Sequence, residues 1–447
     1  MKRILIHNAT IVNEGQSVIG SVVIENNQIA EILTNWKPLS KPCDETIDAT
    51  GCYLLPGVID EHVHFRDPGL TQKADILSES RAAAAGGVTS IMDMPNTQPQ
   101  TTTLESLEEK FGILQEKCIV NHSCYFGATN TNYTEFGKLD AHRVCGIKLF
   151  MGASTGNMLV GRLTSLRHIF NGTDMLIAAH CEDQNIIRQQ TEKYKKIYKD
   201  GTPVPVGKHS DIRSTEACYA SSALAVQLAT EAKARLHILH ISTAKELSLF
   251  SHAPLAEKRI TAEACVSHLT FSQMDYRSLG ALIKCNPAIK KKSDRDALRA
   301  ALNDGRIDTI ATDHAPHLLT DKEGGALSAA SGMPMIQFSL VSMLELVEEG
   351  VISIEQLVNK MCHAPAQLYR IAQRGYIREG YRADLVLVRP NSPWKVTADC
   401  IESKCKWSPV QGRTFQWKVE KTFVNGHAVY DGQTVDETYR GEALYFV

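Results

Sequence analysis

The sequence predicts an α/β fold: a closed (β/α)8 barrel of the TIM type, flanked by a small β-sandwich domain built from both termini. Three observations predict it. Eight apolar, β-branched runs alternate with helical segments through the middle of the chain. Short β-type runs broken by turn residues occupy both ends. Ionisable side chains recur where the barrel strands would finish, the end at which such barrels do their chemistry.

At the N-terminus, "ILIHNATIV", "SVVIEN" and "QIAEIL" are separated by Asn, Gly and Pro turns, so residues 1–52 read as one part of the small β domain. The barrel is expected over residues 53–372. Its strands are "LLPGVIDEHVH", "VTSIMDM", "IVNHSCYF", "CGIKLFM", "MLIAAHC", "RLHILHI", "KRITAEAC" and "RIDTIATDH". Between them, "KADILSESRAAAAGG", "DIRSTEACYASSALAVQLATEA" and "SDRDALRAALNDG" carry helical spacing and stop residues. The helices around the third and seventh strands are the least clearly marked. Residues 373–447, with "ADLVLVRP", "KTFVNGHAVY" and "EALYFV", return to short β runs and complete the small domain.

Composition narrows the function. The 447 residues carry 48 Lys plus Arg against 50 Asp plus Glu, a net charge of −2, and no strongly basic tract. That gives no electrostatic reason for nucleic acid or an anionic membrane as partner. No apolar run approaches bilayer length, and the 12 cysteines are scattered without a CxxC pair. The expectation is a cytoplasmic enzyme with reduced thiols and a small-molecule substrate.

The strand-end residues carry the chemistry. His62 and His64 close the first run of the barrel, and residues two apart on a strand share a face, so the pair can bind one metal or merely end a polar strand. His180 ends the fifth run, His240 the sixth and Asp313 the eighth. Imidazole with carboxylate suits zinc or a similar divalent ion. In "RLHILH" the two histidines have opposite parity; His240, nearer the strand end, is the candidate, and His237 reads as structural. Cys181 points away from its neighbour His180. Lys148 in the fourth run is either half of a salt bridge or, as a buried neutral amine, the acceptor of carbon dioxide, forming a carbamate able to bridge two cations.

Four further residues are candidates for substrate. Arg66 offers a planar fork for a carboxylate, or pairs with adjacent Asp67. Asn96 follows the second run, Asn286 the seventh, and His317 lies just beyond the eighth; each is a ligand contact or a turn residue. The Gly-, Ala- and Ser-rich stretch 318–333 follows His317 and is expected to form a mobile lid.

Along nearly its whole length the chain resembles the amidohydrolase superfamily and, within it, the longer type I dihydroorotases. The resemblance rests on "LLPGVIDEHVHFRDPG", "GGVTSIMDMPNTQP", "GIKLFMG", "AHCED", "HILHIST" and "TDHAPH", and continues through "ADLVLV", "KWSPVQG" and "TFVNGHAVY". "CNPAIK" and "CVSHL" depart from the usual forms but contain no proposed metal ligand. The resemblance implies two Zn2+ ions per subunit, one held by His62, His64 and Asp313, the other by His180 and His240, with carboxylated Lys148 between them. It implies that Arg66, Asn96 and His317, with Asn286, bind dihydroorotate, and that Asp313 is the catalytic base. The expected reaction is reversible interconversion of dihydroorotate and N-carbamoyl-L-aspartate in pyrimidine synthesis, by a homodimer. A hydantoinase or allantoinase type of cyclic amidase is the alternative; Arg66 and Asn96 speak against it. A non-catalytic scaffold relative is a further alternative, but such proteins lose ligands, and here every metal position is filled.

Overall fold

The computed structural model describes residues 2–34, 37–152, 158–199 and 202–447. Two sheets of different character organise it. Strands β1 (Arg3–Asn13), β2 (Gln16–Glu25), β3 (Gln28–Leu33), β4 (Glu45–Asp48) and β5 (Tyr53–Pro56) come from the N-terminal region. The barrel follows as β6 (Val58–Val63), β7 (Val88–Asp93), β8 (Asn121–Cys124), β9 (Phe126–Gly127), β10 (Ile147–Phe150), β11 (Ile177–His180), β12 (Leu236–Ile238), β13 (Ile260–Cys265) and β14 (Thr309–Ala311). The C-terminal region adds β15 (Leu385–Arg389), a short ribbon of β16 (Trp394–Lys395) and β17 (Thr414–Phe415), then β18 (Lys418–Val424) and β19 (His427–Tyr430).

The terminal sheet runs β19-β18-β15-β5-β1-β2-β3, with β4 beside β1. Both chain ends therefore share one sheet. Alternate residues of these strands (Ile6, Val22, Ile24, Leu54, Leu385, Leu387 and Phe423) pack into a core of their own. β5 was expected to begin the first barrel strand; instead it pairs with β1 and β15. The chain passes from one sheet to the other at Gly57, where a Cβ would lie 2.1 Å from Thr89 Oγ1, so only glycine fits.

Barrel strands pair in parallel from β6 to β8 and from β9 to β14. Tyr125 joins β8 to β9, and the ring closes where Val63 bridges His314 and His64 N–H donates to the His314 carbonyl at 2.8 Å. Strands β6, β7, β8, β10 and β11 are buried along their full length, as a parallel sheet covered by helices requires. The covering helices include Ile76–Ala85, Leu104–Lys117, Gln184–Ile197, Thr215–Ala232 and Lys292–Asn303. Asp75 and Thr103 begin the first two with reciprocal caps to Ser78 and Ser106; Asp183 and Ser214 cap the next two. After β9 the crossover holds only the 3-10 turn Asn132–Lys138, because its Asn-, Thr- and Gly-rich sequence favours turns over an α-helix. Among the described residues no helix is long and apolar enough to cross a membrane.

The final run "EALYFV" was expected in the terminal sheet. It lies against the barrel instead: Ala443 bridges His122, Phe446 bridges Ile371, and Leu444 N–H donates to the His122 carbonyl at 2.9 Å. Leu444 and Phe446 are buried beside Tyr125 and Leu176 while Tyr445 and Val447 are exposed. The alternation is that of a strand, but a period of two does not say which sheet it joins.

One buried ion pair supports the loop that follows β6. Lys110, on helix Leu104–Lys117, contacts the Asp93 carboxylate and the Asp67 carbonyl, with both charged side chains fully enclosed. Asp93 Oδ1 also accepts from Phe65 N–H at 2.8 Å. Lys110→Met would strand the Asp93 carboxylate in the interior, an expected cost of about 3–5 kcal/mol. Chemical denaturation read by circular dichroism checks this; a change within about 0.5 kcal/mol, the usual range for a surface substitution, would contradict the bracing role.

Candidate metal centre and substrate cavity

At the carboxyl end of the barrel lies a cavity of about 650 Å3. His62, His64, Lys148, His180, His240 and Asp313 all border it, as do Arg66, Asn96, Asn286 and His317. The fold thus brings all ten proposed residues to one space, from β6, β10, β11 and the segments following β6, β7, β12, β13 and β14.

Two groups of donor atoms converge there. Asp313 Oδ1 stands 3.0 Å from His64 Nε2 and 3.3 Å from His62 Nε2. His180 Nδ1 and His240 Nε2 face each other at 2.9 Å. Ligand atoms about 2.05 Å from a tetrahedral zinc ion are separated by about 3.3 Å, so both spacings suit donors on shared ions. His62, His240 and Asp313 also place ligand atoms within 4.8 Å of one another.

The outward ring nitrogens are already engaged, which fixes which nitrogen faces the centre. His62 Nδ1 meets Glu263 Oε1 at 2.9 Å, His64 Nδ1 meets Asn96 Oδ1 at 2.7 Å, and His180 Nε2 meets Glu182 Oε2 at 2.8 Å. Since a carboxylate or amide oxygen accepts, each of these nitrogens donates and the opposite one keeps its lone pair. Glu182 also takes the Arg213 guanidinium; despite its burial, that cation and His180 hold its carboxyl down to about 2. Burial pushes His64 down to about 4 and His240 well below the usual imidazole range, keeping them neutral as ligands must be. Burial works against ionisation of Asp313 as well, but the His62 and His64 imidazoles and Lys148 prevail and hold its carboxyl far below the usual range.

Lys148 is 1% exposed, and its ammonium makes no hydrogen bond or ion pair with the described residues; it lies 4.7 Å from the Phe150 ring centre. Burial pushes it down to about 8, bringing the neutral amine within reach of ordinary pH. The salt-bridge alternative for this lysine has no partner among the described residues.

On the cavity wall, Arg66 is buried and has no carboxylate partner among the described residues. Asp67, the partner considered from sequence, pairs with Lys117 at 3.0 Å. Arg66 Nε instead donates to the Pro316 carbonyl at 3.0 Å, and Nη2 lies 3.1 Å from His317 Nε2. Burial, then the Arg66 and Lys73 cations, push His317 down to about 2, so it is neutral. Asn286 Oδ1 lies 3.0 Å from His209 Nε2.

Arg66, His240 and Asp313 have φ angles of 68°, 40° and 49°, left-handed backbone that costs non-glycine residues of order 1–3 kcal/mol each. Three strained residues at one cavity show local backbone energy spent on aiming side chains.

Sequence reasoning missed several neighbours. Glu182 had a signal, standing two residues beyond His180. Glu263 had a weaker one, as an acidic residue inside an otherwise apolar strand. His209, Arg213 and Lys284, which also line the cavity, come from loops and helices without periodic marks.

A parallel barrel with paired imidazole and carboxylate donors at its carboxyl end defines a class, and the chain belongs to it: the amidohydrolase family model matches residues 53–429. Among curated proteins, a dihydroorotase of Halobacterium salinarum is 33% identical over 392 residues, covering 87% of this chain and 89% of its own. A dihydroorotase of Methanosarcina acetivorans is 31% identical, covering 99% and 96%. Among solved structures, an L-hydantoinase (dihydropyrimidinase) from Arthrobacter aurescens superposes with a TM-score of 0.91 at 28% identity, covering 98% of each chain. This protein is a cyclic amide hydrolase, and its sequence relatives are dihydroorotases.

If Glu182 orients His180 toward an ion, Glu182→Gln should weaken divalent-metal binding roughly 10- to 100-fold. Competition with a chromophoric chelator measures this directly; unchanged affinity would leave Glu182 a purely structural partner of Arg213.

Proposed function

We propose that the protein is a dihydroorotase, interconverting dihydroorotate and N-carbamoyl-L-aspartate at a pair of zinc ions. The observation that carries the reading is Arg66: a buried guanidinium without a carboxylate partner among the described residues, facing the same cavity as the imidazole groups. Such a group calls for an anionic substrate, and dihydroorotate carries its carboxylate on the ring to be opened. Plain hydantoin has no such carboxylate. The curated relatives favour the same substrate, while the hydantoinase structures support the shared fold and reaction class.

In this reading His62, His64 and Asp313 hold one ion and His180 and His240 the other. Lys148, as its carbon dioxide adduct, would add a carboxylate donor to this set. When bound, the ions polarise the scissile carbonyl and lower the pKa of water. Asp313 accepts the proton of the attacking water as its oxygen bonds to the carbonyl carbon, then returns it to the ring nitrogen as the C–N bond breaks. Arg66 fixes the remote carboxylate, so binding energy far from the reacting bond orients the ring. Asn96 holds His64 through its carbonyl and keeps its amide for the substrate. Neutral His317, beside Arg66, and Asn286 complete the wall. The setting we propose is a cytoplasmic homodimer in pyrimidine synthesis.

Residues 318–333 are proposed as the lid. Lys322 Nζ donates to the carbonyls of Lys284, Ala330 and Gly332 at 3.1, 2.7 and 2.6 Å, and Lys284 Nζ donates to that of Ala329. Every ammonium proton of Lys322 is thereby used in holding the loop across the cavity. Amide exchange over 318–333 should slow when substrate saturates the enzyme; equal exchange with and without substrate would remove the lid role.

Purified enzyme should turn over dihydroorotate and carbamoyl aspartate in preference to hydantoin, allantoin and dihydrouracil; the opposite preference would move it to the hydantoinase or allantoinase type. Arg66→Ala should lower kcat/KM roughly 10- to 100-fold. Asp313→Asn should cut turnover roughly 10²–10⁴-fold with metal content largely kept, and near-normal turnover would sink the base assignment. Intact mass under non-acidic conditions should show one added carbon dioxide, lost in Lys148→Met.

A further inference from the structure

Below the cavity floor, inside the barrel, a second set of donors converges. Glu61 lies between Asp60 and His62 on β6, His237 is on β12 and Glu263 on β13, and all three are fully enclosed. Their ligand atoms lie within 4.8 Å of one another, and Glu61 Oε1 is 4.0 Å from His237 Nε2.

Hydrogen-bond accounting shows that these atoms present lone pairs to one another. Thr261 Oγ1 spends its proton on the Leu236 carbonyl at 3.2 Å, so its 2.8 Å contact with His237 Nδ1 has the ring donating. The lone pair of His237 is therefore on Nε2, toward Glu61. Glu263 Oε1 already accepts from His62 Nδ1 and from His240 N–H at 2.8 Å, whereas Glu263 Oε2 and both oxygens of Glu61 have no hydrogen-bond partner among the described residues. The Thr309 hydroxyl stands 3.4 Å from His237 Nε2 and beside Glu61, and it has a single proton to give. One hydroxyl proton faces four acceptor atoms, in a place without water's dielectric, where unpaired carboxylate charge is most costly.

We propose that Glu61, His237 and Glu263 form an interior site for one divalent cation, separate from the catalytic cavity. Two carboxylates and an imidazole are the donors of a Mn2+- or Zn2+-type ion. The ion neutralises both glutamates at once. It also stiffens Glu263, whose other oxygen fixes the His62 ring, so an ion that never meets substrate sets the aim of a catalytic-centre histidine.

Mn2+ serves as the probe. The full-length protein is saturated with it, passed through a desalting column and assayed by plasma mass spectrometry beside Glu61→Gln. The expected result is one fewer Mn2+ per chain in the variant, with an anomalous-scattering peak between Glu61, His237 and Glu263 in crystals of the unaltered protein. Equal Mn2+ content in the two, or an anomalous map with no peak at that position, overturns the proposal and leaves a proton shared by the glutamates. Should Glu61→Gln fail to fold, the map of the unaltered protein decides alone. The cavity peaks are read separately, so an occupied interior with an empty cavity would sustain this inference and sink the zinc-centre reading, and the reverse would do the opposite.

Discussion

The contact on which the site depends is that of Asp313 with His62 and His64. It sits at the seam where the last strand of the barrel meets the first, so closing the ring and assembling the first half of the centre are one event. Without closure, residues about 250 positions apart would have no reason to share a carboxylate. With it, the seam also lies beside β13, which delivers the Glu263 brace, and His240 comes to 5.3 Å from His62 between ring centres.

Around this contact the protein uses its second layer to choose among the states of each imidazole. Glu263, Asn96 and Glu182 accept from three outward nitrogens and leave three lone pairs turned inward. Burial does the rest by keeping the His64 and His180 rings neutral. The left-handed backbone at Arg66, His240 and Asp313 belongs to the same economy: conformations unfavourable in isolation persist because a fully packed barrel surrounds them. The Lys110 and Asp93 pair under the 64–69 loop is one of the devices that hold such a segment in place.

Polarity is divided across the cavity. The floor gathers imidazoles, a carboxylate and a lysine whose ammonium is disfavoured by burial. The wall carries Arg66, which has no carboxylate partner within ion-pair distance among the described residues, and the loop above is pinned by lysine donors to backbone carbonyls. In the proposed reading, an anionic substrate is drawn by the wall while its amide is presented to the floor. Beneath that floor, in the inference drawn above, a cation would serve the interior glutamates by the same logic.

The sequence by itself determined the eight strands, the alternation that makes a barrel and the pairing of the two termini in one sheet, and it picked out ten residues that border the cavity. These are local signals: a period of two, caps, turn residues, and ionisable groups at strand ends. It also pointed to the His62 and His64 pair from spacing alone. It did not determine where β5 belongs, because an apolar strand on either side of Gly57 suits both sheets, and it sent the final "EALYFV" to the wrong partner for the same reason. Only the tertiary structure decided that Arg66 is free of Asp67, that Lys148 lacks a salt-bridge partner among the described residues, that Glu182, Arg213 and His209 join the site, and that Glu61 and Glu263 meet inside the barrel. Each of these depends on which distant residue comes within a few ångströms, and hydrogen-bond partners and burial are set by closure of the ring and not by neighbours in the chain.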